Sequence, residues 1–218
     1  MNIAKNEFRF YTSLDLVELT GQRANNVNEL LEIIRNIDGS SIFYHTHRYF
    51  REHHFIRNEY SSDFAQWTFD SLQEMELGEK LASIDILEYP NVRSIREAII
   101  KVIEKYIKSG IRIRNIPSGR EFHFCKLISV IMPTNYVANN LNEFIEALKK
   151  ISINSLYFHL FEARLRLEQK TNDFSRWIGE GLGNTELAKK IDKLDPYTHT
   201  LDELRDEIIS IIQKNSKI

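Results

Sequence analysis

The chain has one cysteine, four prolines and eight glycines among 218 residues, and each shortage removes a class of architecture. A lone thiol, Cys125, cannot close an internal disulfide, which fits a reducing cytoplasm. It sits in the apolar stretch Phe122–Leu127 and is expected as a buried small residue rather than a nucleophile. So few prolines and glycines favour long regular elements. No apolar run approaches the roughly 18 residues of a membrane span, and Met1–Lys5 does not open a secretory signal. Charge is also lacking in excess: 29 Lys and Arg against 31 Asp and Glu give a formal net charge of −2. Nucleic acid is therefore not an expected partner, because its binders carry a basic surplus. Neither a phosphate-loop spacing nor a nucleophile elbow occurs. These exclusions leave a cytoplasmic globular protein whose hydrophobic content of 42% can fill a sizeable core.

What is present is a sequence that repeats. Ala24–Leu30 recurs 114 positions later as Ala138–Phe144, Phe8 and Phe10 fall on Phe122 and Phe124, and Ser41–His45 falls on Ser155–His159. Farther on, Asp63-Phe64 with Trp67 meets Asp173-Phe174 with Trp177. Asn26 with Glu29 and Asn140 with Glu143 have capping-box spacing, and apolar residues at helical period follow each. The terminal helices Val92–Lys108 and Leu201–Lys214 correspond in the same way. Glu7–Thr12 and Phe122–Met132 alternate and are β-prone, so two short strands are expected there, able to pair with each other. The expected fold is mainly α: a tandem-duplicated helical pseudo-dimer with two short β-strands at most. Its parts are a first repeat over 1–109, a linker over 110–120 and a second repeat over 121–218, packed as one body.

Phe8–Thr12, Ser40–Arg48, Leu77–Asp85 and Phe158–Arg164 resemble the signature stretches of a family of bacterial and archaeal proteins of about this length, catalogued only as a domain of unknown function. The resemblance covers nearly the whole chain, and His45-Thr46-His47-Arg48 is its most specific part. It implies a complete, stand-alone member, and it brings no activity, cofactor or site residue with it.

Four of the seven histidines, His45, His47, His53 and His54, lie within ten residues. On a helix none is three or four residues from another, and His45 and His47 point about 200° apart, so no pair can chelate a metal. Strand geometry would put His45 and His47 on one face, but the matching segment Leu156–Glu168 reads as a helix. A metal would then need ligands from elsewhere, such as His159, Glu162, Asp63 or Glu59, and no metal site is assigned. His45 and His159 occur in both halves, which fits a histidine hydrogen-bonded to the neighbouring helix in each. Arg48 aligns with Glu162, a complementary pair if the two helices meet. His47, Arg48, Arg51, His53 and His54 belong to the first half alone and suit an anionic ligand. The candidate ligand-binding set is therefore His45, His47, Arg48, Arg51, His53, His54, His159 and Glu162. The primary functional reading is a non-enzymatic binding or adaptor module for a protein partner or a small anionic ligand, with room for homo-oligomerisation. The alternatives are an enzyme acting on a phosphorylated or carboxylated small molecule through the histidine-rich helix, and a His-ligated metal protein. Cofactors are unassigned.

Overall fold

The structure, a computed structural model, describes residues 3–52, 60, 62–110, 112–166 and 171–215. Its two longest strands overturn the expected class. β1 (Phe8–Ala24) and β2 (Phe122–Ala138) are each 17 residues long and pair in one two-stranded sheet. Thr134 Oγ1 donates to the Phe10 carbonyl and Thr20 Oγ1 to that of Phe124, so residue 10 lies beside 134 and 20 beside 124, an antiparallel register. A long β-ribbon carrying helices replaces the expected helical pseudo-dimer with short strands. The alternating segments do pair, yet they run well past Thr12 and Met132. β2 runs through Pro133; proline removes a ladder donor, which matters least on a sheet edge. In a two-stranded sheet each strand is an edge, so Pro133 can sit within β2.

The helices follow local signals. α1 (Val27–Asn36) is capped by Asn26, whose side chain accepts from the Glu29 N–H, while Glu29 accepts from Asn25 and Asn26. α6 (Leu141–Leu148) repeats the device with Asn140 and Glu143. α2 (Gly39–Glu52) opens with the Asp38 carboxylate accepting the Ser40 N–H. Then come α3 (Asp63–Asp70), α4 (Met75–Ala82) and α5 (Val92–Lys108). After β2 and α6 come α7 (Ile153–Tyr157), a π-helical stretch Phe158–Glu162 and α8 (Ala163–Arg166). α9 (Asp173–Arg176), a second π-helical stretch Trp177–Gly181, α10 (Thr185–Asp192) and α11 (Leu201–Asn215) complete the chain. Among the described residues no helix is long and apolar enough to cross a membrane.

The contacts divide the described residues into two compact units, each holding part of both strands. The mid-chain unit takes residues 15–52 and 56–128, and the terminal unit takes 1–14 and 129–218. In the mid-chain unit α1 to α5 enclose Phe122 and Phe124 together with Leu30, Ile34, Ile42 and Phe64. A Cβ at Gly78 would come within 2.5 Å of Phe69 Cδ2, so glycine is what lets α4 lie against α3. In the terminal unit Phe8 and Phe10 are covered by Phe144, Leu156, Phe174 and Ile208. Phe8 touches Phe174 at 5.6 Å and Trp177 at 5.5 Å, much as Phe122 touches Phe64 at 5.2 Å and Trp67 at 5.6 Å in the other unit.

Candidate functional site

Each unit contains the same buried clamp. In the mid-chain unit the Cys125 N–H donates to His45 Nε2 at 2.9 Å, and Ser41 Oγ donates to the Cys125 carbonyl at 2.6 Å. In the terminal unit the Tyr11 N–H donates to His159 Nε2 at 2.8 Å, and Ser155 Oγ donates to the Tyr11 carbonyl at 2.5 Å. Ser41 and His45, like Ser155 and His159, are one helical turn apart and so face the same way. Together they satisfy both backbone groups of one residue on the open side of a strand. A strand edge left bare is a pairing hazard; here two side chains stand where a third strand would have bonded.

The other ring nitrogen of each histidine meets a carboxylate: His45 Nδ1 to Asp63 Oδ2 at 2.8 Å, and His159 Nδ1 to Asp173 Oδ2 at 2.9 Å. Because Nε2 accepts from a backbone N–H, it carries no proton. The proton therefore sits on Nδ1 and is donated to the aspartate, which fixes a neutral imidazole. Burial pushes both imidazoles below the ordinary histidine range, against the opposing pull of Asp63 and Asp173. An indole closes each arrangement, Trp67 donating to the Arg120 carbonyl at 2.7 Å and Trp177 to that of Asn6 at 2.8 Å. Ser62 and Asn172 do the capping, and the aspartates hold the histidines.

The remaining candidates are placed differently. His47 is buried, stacked on Phe43 at 4.6 Å, with Nδ1 2.8 Å from Thr46 Oγ1. Arg48 is partly exposed, 3.2 Å from the Tyr44 hydroxyl and 3.6 Å from Asp63 Oδ2. Glu162 is buried at the end of the first π-helical stretch of the terminal unit. Arg51 lies in the last turn of α2, while its side chain, with His53 and His54, lies outside the described residues, as does Glu59. His45, Arg48 and Asp63 thus come together in one unit, His159 in the other. Cys125, expected to be buried, is half-buried, and burial raises its thiol.

Beside each clamp lies a cleft. The mid-chain one holds about 310 Å³ and combines Arg48 with three carboxylates, Asp63, Asp70 and Glu121. The terminal one holds about 520 Å³ and is lined by Lys5, Arg9 and Arg176 against Glu7, Asp173 and Glu180, with Phe158, Trp177 and Ile131 among its apolar residues. Matching residues line both: Glu7 and Glu121, Phe8 and Phe122, Tyr11 and Cys125. The arginine against the aspartate comes from different helices, Arg48 from α2 in one and Arg176, 2.8 Å from Asp173 Oδ1, from α9 in the other. Where the terminal cleft has Arg176 the mid-chain cleft has Gln66, four residues after Ser62 as Arg176 is four after Asn172. Reading the sequence for histidines passed over Arg176. The signal was there: a cation at that place in one repeat and a neutral amide in the other.

The profile of one protein family matches residues 5–213. The chain belongs to this family of unknown function, DUF5752. Among solved structures it is similar to OrfY from Thermoproteus tenax, with 28% identity and a TM-score of 0.85 over 99% of this chain and 98% of that one. No curated protein matches. The family and the structural relative carry the fold over the whole described chain and assign it no activity.

Proposed function

We propose that the protein is a non-enzymatic binding protein that takes a small anionic ligand in the terminal-unit cleft. The carrying observation is Arg176 at the wall of a 520 Å³ cleft, a volume within the roughly 300–1,000 Å³ of small-ligand sites. Of the five N–H donors on its guanidinium, one is used on Asp173, leaving a fork suited to a carboxylate or phosphate. The non-enzymatic part of the reading is supported by the histidines. With Nε2 of His159 accepting a backbone N–H and Nδ1 donating to Asp173, the ring has no lone pair with which to take a ligand proton. Calorimetric titration with benzoate and with inorganic phosphate tests the reading. Wild type is expected to bind at least one, and Arg176→Gln is expected to weaken it about tenfold, the scale of one charge-assisted pair. Absence of binding, or affinity indifferent to Arg176→Gln, refutes it.

A second reading, a docking surface for a protein, is favoured by the ribbon. In the mid-chain unit Leu16, Val17, Leu19 and Ile128 are between 40% and 68% exposed, more apolar surface than a strand surrounded only by water ordinarily shows. Sedimentation equilibrium is the test. A mass above the 25.7 kDa of one chain that falls to it in Leu16→Glu/Leu19→Glu supports this reading, and a monomeric wild type removes self-association as its basis.

A further inference from the structure

Resting on the anion-binding reading, we infer that the terminal-unit cleft takes a free amino acid with an apolar side chain, recognising both of its charges. The argument is one of charge matching. Six charged side chains line the cleft, and four of them pair off: Arg9 with Glu7 and Arg176 with Asp173, each at 2.8 Å. Lys5 and Glu180 are left without an ion pair among the described residues. A ligand with a negative group alone would satisfy Arg176 and Lys5 while crowding Glu180. A ligand with a positive group alone would do the reverse. A zwitterion answers both.

The backbone places these charges on one side of the cleft. Arg176 ends α9 and Glu180 follows four residues later inside the π-helical stretch Trp177–Gly181, a spacing at which side chains are neighbours. The Lys5 N–H donates to the Gly181 carbonyl at 2.9 Å, which fastens Lys5 next to Glu180. Phe158, Trp177 and Ile131 supply apolar surface for the ligand's side chain. Both π-helical stretches line this cleft, Phe158–Glu162 through Phe158 and His159 and Trp177–Gly181 through Trp177 and Glu180. π-Helical turns are uncommon and concentrate at functional places. The residues matching them in the mid-chain unit lie in ordinary α-helix, in α2 and α3. The mid-chain cleft also has Gln66 in place of Arg176, so it lacks the α9 fork and serves as an internal control.

The experiment is calorimetry at neutral pH with phenylalanine, N-acetylphenylalanine (carboxylate only) and phenylalaninol (ammonium only), on wild type and Glu180→Gln. Glu180 is exposed, so its replacement leaves the fold in place, as circular dichroism will verify. Phenylalanine is expected to bind about tenfold more tightly than either single-charge analogue. Glu180→Gln should abolish its advantage over N-acetylphenylalanine, weakening phenylalanine without weakening the latter. If N-acetylphenylalanine equals phenylalanine, or Glu180→Gln weakens both alike, the amino-acid inference is overturned and anion binding stands. If neither carboxylate binds, or phenylalaninol matches phenylalanine, the amino-acid inference is overturned, and the phosphate titration decides the anion reading by itself.

Discussion

Lowering the pH should loosen the clamps before it disturbs anything else, and the size of the effect follows from where the two histidine protons sit. In the folded protein Nε2 of His45 and of His159 each accept a backbone N–H. A second proton would set N–H against N–H, and burial independently disfavours the charge. Both folded values therefore lie below the roughly 6.5 of a histidine in the unfolded chain. The unfolded state then binds protons first as pH falls. Stability is full above about 6.5 and declines below it at about 1.4 kcal/mol per pH unit per histidine, until the folded value is reached. Two histidines together should cost up to about 2 kcal/mol between pH 6.5 and 5.5, the limit in which neither folded imidazole takes a proton, because each unfolded one is already half protonated at 6.5. Urea midpoints at pH 7.5, 6.5 and 5.5 measure this. Wild type should fall slightly over the first interval and about three times as much over the second. His159→Gln, neutral throughout, should be less stable at pH 7.5 and lose about half of the acid slope. Depressed carboxylates such as Glu29 and Asp38 titrate lower and do not enter this window. A wild-type midpoint flat from 6.5 to 5.5, or a slope unchanged in His159→Gln, would refute the assignment of neutral, doubly bonded imidazoles.

Four further substitutions test the scaffold. Ser41→Ala and Ser155→Ala each leave a strand carbonyl without its hydroxyl donor and should cost about 1 kcal/mol by urea titration. Gly78→Ala presses a methyl into the Phe69 ring and should cost about 1–3 kcal/mol, the range for overpacking; a neutral result would mean that α3 and α4 can part. Asn26→Ala removes the α1 cap and should cost about 1 kcal/mol, with a smaller loss in Asn26→Ser.

How far the sequence could be read depended on whether a feature is local. Asn26 with Glu29 and Asn140 with Glu143 announce helix starts because both partners lie within four residues, and both starts are where the spacing puts them. Val92–Lys108 is bounded by Asn91 and Gly110 and was equally legible. The strands were legible in kind and wrong in extent. Pro133 reads as a stop only if the sheet has more than two strands, and strand number is a property of the whole fold. The role of His45 was legible in part: a bond to the neighbouring helix was expected and Asp63 of α3 makes it, whereas the bond to the strand was not foreseen. Its partners, Cys125 and Asp63, are 80 and 18 residues away. Even so, the spacing of Ser41 to His45, repeated in Ser155 to His159, was a visible clue that the serine and the histidine act as a pair. The π-helical turns had no sequence signature available, since they share helical periodicity with what surrounds them.

The clamps account for what the two units share. His45 and His159 survive in both halves because a strand residue in each needs its N–H answered and an aspartate in each needs a donor. That is scaffold, and it accounts for the most conspicuous shared feature without any ligand. The informative positions are those where one half differs in charge while its surroundings match. Position 66 against 176 is such a place, glutamine beside one aspartate–histidine pair and arginine beside the other. Position 48 against 162 is its counterpart, arginine in the mid-chain unit and a buried glutamate in the terminal one. Each aspartate thereby keeps one arginine, supplied by α2 in one unit and by α9 in the other. The mid-chain arginine comes from the histidine-bearing helix and sits 3.6 Å from its aspartate, whereas the terminal one comes from the cleft wall at 2.8 Å. Moving the cation to α9 is what puts it four residues from Glu180, beside Lys5 and against the apolar wall. Either helix can supply a cation to the aspartate of its clamp; only the terminal arrangement also sets that cation on a cleft shared with Lys5 and Glu180, which is what the proposed zwitterion site requires.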